Sequence, residues 1–277
     1  MGPRALGMSH ILDAVLEHLD PSQMPAVEAM IGPATLSTEM EHVKARNAEL
    51  VRCALVNRHW RERAQAALLR VLLFDARAVA PNPRIAMIAD RLEAARAHSR
   101  VERIIVPGAA TIHLNAVRSI VKRCDRLVVL ITSISAEHVG AVPTTVRILW
   151  IGVPASCDFE RLARLRKLEA ANLGDHRGGA DDSFVSNGVS SVRSLWLDFN
   201  WGLPGALIAA LPSLQHVERL YIQVGQDGPA AIHELGETMR NKTLMPRLRL
   251  LELHGEGASV THEGRTTMRS GWSWIRD

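Results

Sequence analysis

Eight short segments of the chain share the pattern apolar-x-x-apolar-x-apolar, and a recurring unit of this kind can fold only if its copies stack. The copies are Leu69/Leu72/Phe74, Val101/Ile104/Val106, Cys124/Leu127/Val129, Val146/Leu149/Ile151, Leu165/Leu168/Ala170, Val192/Leu195/Leu197, Val217/Leu220/Ile222 and Leu248/Leu251/Leu253. Apolar residues at alternate positions close each copy, as in a short strand with one buried face. The first apolar residue, three positions earlier, turns inward at the bend leading into that strand. Helical spacing appears between copies: Ile85, Ile88 and Leu92 within residues 84–98, and Leu114, Val117, Ile120 and Val121 within 113–123. A further helix is expected over 229–240, opened by Pro229. One strand and one helix cannot bury their own apolar faces, so neighbours stack, with parallel strands along a concave side and helices outside. The competing reading is an ordinary α/β domain whose parallel strands share a motif.

The first anchors are separated by 32, 23, 22, 19, 27, 25 and 31 residues. Leucine-rich repeats run about 20 to 29 residues, so the outliers need longer connectors. The fold class expected is therefore α/β, a leucine-rich-repeat solenoid over residues 69–277 with a C-terminal cap. The repeats depart from a uniform horseshoe. Where Asn or Cys normally lines a hydrogen-bonded ladder, only Asn200 in the sixth copy qualifies, and other copies carry Ala109, Thr132, Pro154 or Gly225. The Gly-rich, polar stretch within residues 171–191 reads as an exposed loop.

Composition narrows the function. The chain has 277 residues, 47% hydrophobic but only 4% aromatic, so aliphatic packing carries its core. No apolar run approaches a membrane span, and MGPRALGMSH lacks a signal-peptide apolar region, so a cytoplasmic or nuclear protein without membrane partners is expected. Cys53, Cys124 and Cys157 lack metal-ligand spacing and read as reduced thiols. The net charge of +4 arises from interspersed charges without a long Lys/Arg block, which names no nucleic-acid partner. His233-Glu234-Leu-Gly-Glu237 ends in Glu where a zinc-protease helix needs a second His. Asp175, His176, Asp181 and Asp182 read as turn chemistry, and Asn241-Lys-Thr243 is a sequon only in a secreted chain. There is no phosphate loop and no nucleophile elbow. A non-enzyme is expected, with no cofactor and no metal.

Residues 1–68 differ in texture. Ser9 can cap a helix carrying Ile11, Leu12, Val15, Leu16 and Leu19, and Leu50-Val-Arg-Cys53-Ala-Leu-Val56-Asn-Arg-His-Trp60 follows an insert at 20–48. Within that insert Ser37-Thr-Glu-Met opens a candidate helix to Leu50. The apolar first helix followed by Cys53, Val56 and Trp60, leading into the first repeat, resembles an F-box. The chain departs from that family in lacking Leu-Pro at the start of the first helix and in the length of the insert. The resemblance implies a small helical module that docks on a Skp-type adaptor of a cullin ubiquitin ligase through Ile11, Leu12, Val15, Leu16, Leu19, Val56 and Trp60, while the repeats hold a protein substrate. The alternative is a helical cap on a leucine-rich-repeat scaffold with no ligase role.

Alternation along the strands sets which side chains face a partner. The residues between strand anchors are Leu73, Ile105, Val128, Trp150, Glu169, Trp196, Tyr221 and Glu252. Trp150, Trp196 and Tyr221, with Arg219 beside them, are expected to form an exposed aromatic stripe suited to substrate binding.

Overall fold

The computed structural model describes residues 3–20, 33–74, 83–106, 114–132, 142–152, 165–174, 191–199, 214–224, 238, 245–255 and 258–263. They belong to two compact units, Met1–Val129 and Leu130–Asp277. The expected helix at 229–240 apart from Thr238, the His233-Glu234 segment, Cys157 and the Gly-rich stretch 175–190 lie outside the described residues.

The first unit opens with α1 (Pro3–His18), α2 (Pro33–Ala54) and α3 (Arg58–Leu68), continues through β1 (Val71–Leu73), α4 (Pro83–Ala94), β2 (Arg103–Val106) and α5 (Leu114–Arg123), and reaches β3 (Val129–Thr132) at its end. Proline stands at the first position of α1, α2 and α4, where its fixed φ suits a helix and its missing N–H costs nothing. Asn57 separates α2 from α3: its side-chain oxygen accepts the Trp60 backbone N–H at 2.9 Å, satisfying one of the orphan donors of the new helix. The expected helix inside the insert is real but longer, and it continues without a break into the Cys53 segment. The helices pack against β1, so the first compact unit runs well past the expected boundary at residue 68.

Arg46 occupies the buried stripe of α2, between Val43 and Leu50. Its Nε donates to the Leu19 carbonyl at 2.8 Å and its Nη2 to the Ala67 carbonyl at 2.8 Å, while Nη1 reaches Asn47 Oδ1 at 3.0 Å. Leu19 and Ala67 sit at the C-terminal ends of α1 and α3, where carbonyls lose their helical partners and the helix dipole favours a cation. One guanidinium thus caps two helices from a third. Burial, with Arg70 nearby, pulls its pKa down to about 10.

The second unit is built from β4 (Ile148–Gly152), β5 (Ala170–Gly174), β6 (Ser194–Phe199), β7 (Arg219–Val224), β8 (Leu250–Gly255) and β9 (Ala258–Glu263). The strands from β4 to β8 pair in parallel in chain order, as β1 and β2 do in the first unit, and β9 returns antiparallel to β8. The architecture is α/β, with helices described in the first unit.

The register corrects two copies of the motif. Leu149, Ala171, Leu195, Leu220 and Leu251 stand opposite one another on adjacent strands. The fifth copy is therefore Leu168/Ala171/Leu173 rather than Leu165/Leu168/Ala170. Main-chain bonds from Val128 and Val129 to the Glu102 carbonyl place the third copy at Leu127/Leu130/Thr132 rather than Cys124/Leu127/Val129. Both shifts have one cause. A turn closed by an i to i+3 hydrogen bond precedes the first anchors Val101, Leu127, Val146, Leu168, Val217 and Leu248, and in the two shifted copies it runs from Leu127 N to Cys124 O and from Leu168 N to Leu165 O. Cys124 and Leu165, which open those two turns, are themselves buried and apolar, which repeats the motif's spacing three positions early.

After correction, the residue following the first anchor has the same role in six of the eight copies. The carbonyl of Arg147 accepts both Glu169 N and Ala170 N; those of Glu169, Arg193 and Glu218 accept two consecutive N–H groups from the next strand in the same way. In the first unit Arg70 and Glu102 do likewise. Their side chains alternate in sign: Arg70 and Glu102 in the first unit, then Arg147, Glu169, Arg193, Glu218 and Arg249 in the second. Arg70 pairs with Glu102 at 2.9 Å, Arg147 with Glu169 at 2.6 Å and Arg249 with Glu218 at 4.0 Å.

Candidate functional site

The helical module concentrates apolar residues beyond what three short helices can bury. Leu50, Cys53 and Ala64 form its centre, and Val15, Leu16, Leu19, Trp60 and Leu68 pack against them half-buried. The seven residues expected at an adaptor surface are thus divided. Leu12 is fully buried and belongs to the core, whereas Ile11 is 59% and Val56 50% exposed. Trp60 joins the interior cluster, with its indole N–H buried and without a hydrogen-bond partner among the described residues.

Two exposed residues were missed by the family pattern. Val51 lies on the outer side of α2, and Leu55 follows one helical turn later and is the most exposed large hydrophobic residue described, at 74%. Together with Val56 they form an uncovered aliphatic stretch where α2 gives way to α3. The signal was present in the run Leu50-Val-Arg-Cys53-Ala-Leu-Val56, which holds more apolar residues than one helix stripe can turn inward. Burial raises the Cys53 thiol above its ordinary value, as expected of a structural cysteine.

The first unit also holds a cavity of about 640 Å³ between α1, α3 and the turns before β2 and β3. Arg70 crosses it, bonded to Asp20 Oδ2 at 2.5 Å and to both Glu102 oxygens at 2.9 Å. Burial lowers the Arg70 pKa, but its hydrogen bonds to Glu102 and Asp20 outweigh that and hold it above the ordinary value. Asp13 pairs with Arg63. The walls are largely self-neutralised, and no group of three metal-ligating side chains occurs among the described residues.

In the second unit the register assembles the expected aromatic row. Trp150, Asn172, Trp196, Tyr221 and Glu252 stand on successive strands at one level, with Arg219 two positions earlier on β7. Trp196 stacks on Tyr221 with ring centroids 5.2 Å apart and planes inclined by 18°. Exposure differs from expectation. Trp196 is buried at 7%, while Trp150, Tyr221 and Arg219 are half-buried. Glu169, expected in this row, stands at the strand entrance instead, and Asn172 takes its place because the fifth copy is shifted. In the first unit Ile105, expected to face outward, is fully buried, so β2 is apolar on both faces like many parallel strands.

No protein-family model matches the chain, and no curated protein matches it either. No helix among the described residues is long and apolar enough to cross a membrane.

Proposed function

We propose that the chain is a non-catalytic substrate-recruiting subunit of a Skp-cullin-F-box type ubiquitin ligase. In this reading α1 to α3 form the F-box module and the strands belong to an irregular leucine-rich-repeat solenoid. The observation that carries it is the exposed aliphatic stretch Val51, Leu55 and Val56, set beside the Cys53 and Trp60 core at the α2–α3 junction. An apolar patch left open by a module that has already filled its interior is suited to a protein partner. Ile11 on α1 adds a second exposed apolar contact. The parallel strands, in register through a recurring apolar motif, support the solenoid. The half-buried Trp150, Tyr221 and Arg219, backed by Trp196, supply the substrate contact.

Co-expression with a Skp-type subunit tests the reading. The wild-type chain should elute with that subunit, and Leu55→Glu with Val56→Glu should separate them while leaving the helical circular dichroism unchanged. Leu12→Glu is unsuitable as a surface probe because Leu12 is fully buried. Failure of the wild-type chain to bind would remove the ligase role and leave a repeat scaffold.

A further inference from the structure

The entrance edge of the second unit's sheet gathers cations that are scattered in the sequence. Each parallel strand is preceded by a turn, so the turns before β4 to β8 lie along one edge in strand order. On that edge Arg147, Arg166, Lys167, Arg193, Arg247 and Arg249 are all exposed. The interleaved carboxylates, Glu169 and Glu218, are half-buried and already paired with Arg147 and Arg249. Arg166, Lys167, Arg193 and Arg247 have no carboxylate partner among the described residues.

We propose that this edge is a docking strip for an acidic linear segment of a partner protein. Neighbouring strands lie about 4.8 Å apart, so the strip from the turn before β4 to that before β8 is about 19 Å long. An extended peptide advances about 3.3 Å per residue and needs about six residues to cover it. Arginine forks suit carboxylates, which they grip through two parallel N–H bonds. Single-stranded nucleic acid is the less suitable occupant. It binds by stacking successive bases on aromatic rings, and the described residues of these turns, 142–147, 165–169, 191–193, 214–218 and 245–249, hold no Phe, Tyr or Trp and a single imidazole, His216, too little for a stacking platform. The strip is independent of the helical module, so this inference stands apart from the ligase reading.

The test is fluorescence anisotropy with a labelled hexaglutamate peptide, a hexaglutamine peptide of equal length and a short oligothymidylate, each titrated with the full chain. The expected result is saturable binding of hexaglutamate, weakened by added salt, with no binding of hexaglutamine. The quadruple variant Arg166→Gln, Lys167→Gln, Arg193→Gln and Arg247→Gln should weaken it on the order of tenfold or more. These positions are exposed, and unchanged thermal unfolding of the variant confirms that the loss is not one of folding. Absence of hexaglutamate binding, or binding indifferent to the quadruple variant, overturns the proposal. Tighter binding of oligothymidylate than of hexaglutamate also overturns it, in favour of a nucleic-acid strip.

Discussion

Replacing Arg46 should loosen the whole helical module, although among the described residues no carboxylate is in hydrogen-bond contact with it. Its two bonds to the Leu19 and Ala67 carbonyls, each 2.8 Å, are charge-assisted, while the neighbouring Arg70 guanidinium is engaged with Asp20 and Glu102. Hydrogen bonds to a charged group contribute roughly 1.5 to 3 kcal/mol apiece. Against that gain stands the cost of holding a guanidinium at 6% exposure, which also depresses its pKa. Arg46→Met keeps the apolar stem, removes the charge and leaves both carbonyls without this donor, so a net loss of about 2 to 4 kcal/mol is expected. Arg46→Lys offers one compact ammonium, which cannot span two carbonyls as a planar fork does, and should recover at most about half of that. Urea unfolding followed by the helical circular dichroism measures the difference, and the midpoint should rank wild type above Lys above Met. A Met variant as stable as wild type would refute the argument, because the carbonyls would then be satisfied equally well without the clamp.

Two further outcomes follow from the same geometry. Arg147→Glu places like charges beside Glu169 and should cost about 0.5 to 1 kcal/mol, while adding Glu169→Arg reverses the pair but sets a guanidinium beside Arg193, so it should recover only part of the loss; a double-mutant cycle with no coupling would show the pair to be inert. Cys124 is fully buried beside Asp125, and burial pushes its thiol up to about 12. Between about pH 9 and pH 12 the unfolded chain loses that proton while the folded chain keeps it, so folded stability should fall as pH rises through the window. In a chain carrying Cys53→Ala and Cys157→Ala, disulfide-exchange labelling at pH 8 should accordingly wait for unfolding; rapid labelling of the native protein would contradict the burial.

The parallel strands were legible because aliphatic residues recur at fixed offsets, and α4 and α5 because Ile85, Leu92, Val117 and Ile120 keep helical spacing. The frame of two copies was not legible. Cys124 and Leu165 open buried turns, and their chemistry is indistinguishable from that of a strand anchor. Exposure was read less well than position. The aromatic row falls in register, yet nothing in the local sequence reveals that Trp196 is covered. In the helical module Leu12 and Ile11 are adjacent and equally apolar, and only the packing of α1 decides which turns inward. Arg46 escaped because a charged residue in a helix reads as solvated, whereas here the carbonyls of two other helices draw it inside.

The sign alternation at the strand entrances also limits how the second unit could change length. Arg147, Glu169, Arg193, Glu218 and Arg249 form a sequence in which every neighbour is opposite. Excising the segment that carries Arg193 would bring Glu169 against Glu218, and copying it once in tandem would set two arginines side by side. Removing the Glu169 and Arg193 segments together leaves Arg147 facing Glu218, and the alternation survives. The smallest increment by which this array can grow or shrink without electrostatic conflict is therefore two strands, a parity rule written in one side chain per repeat.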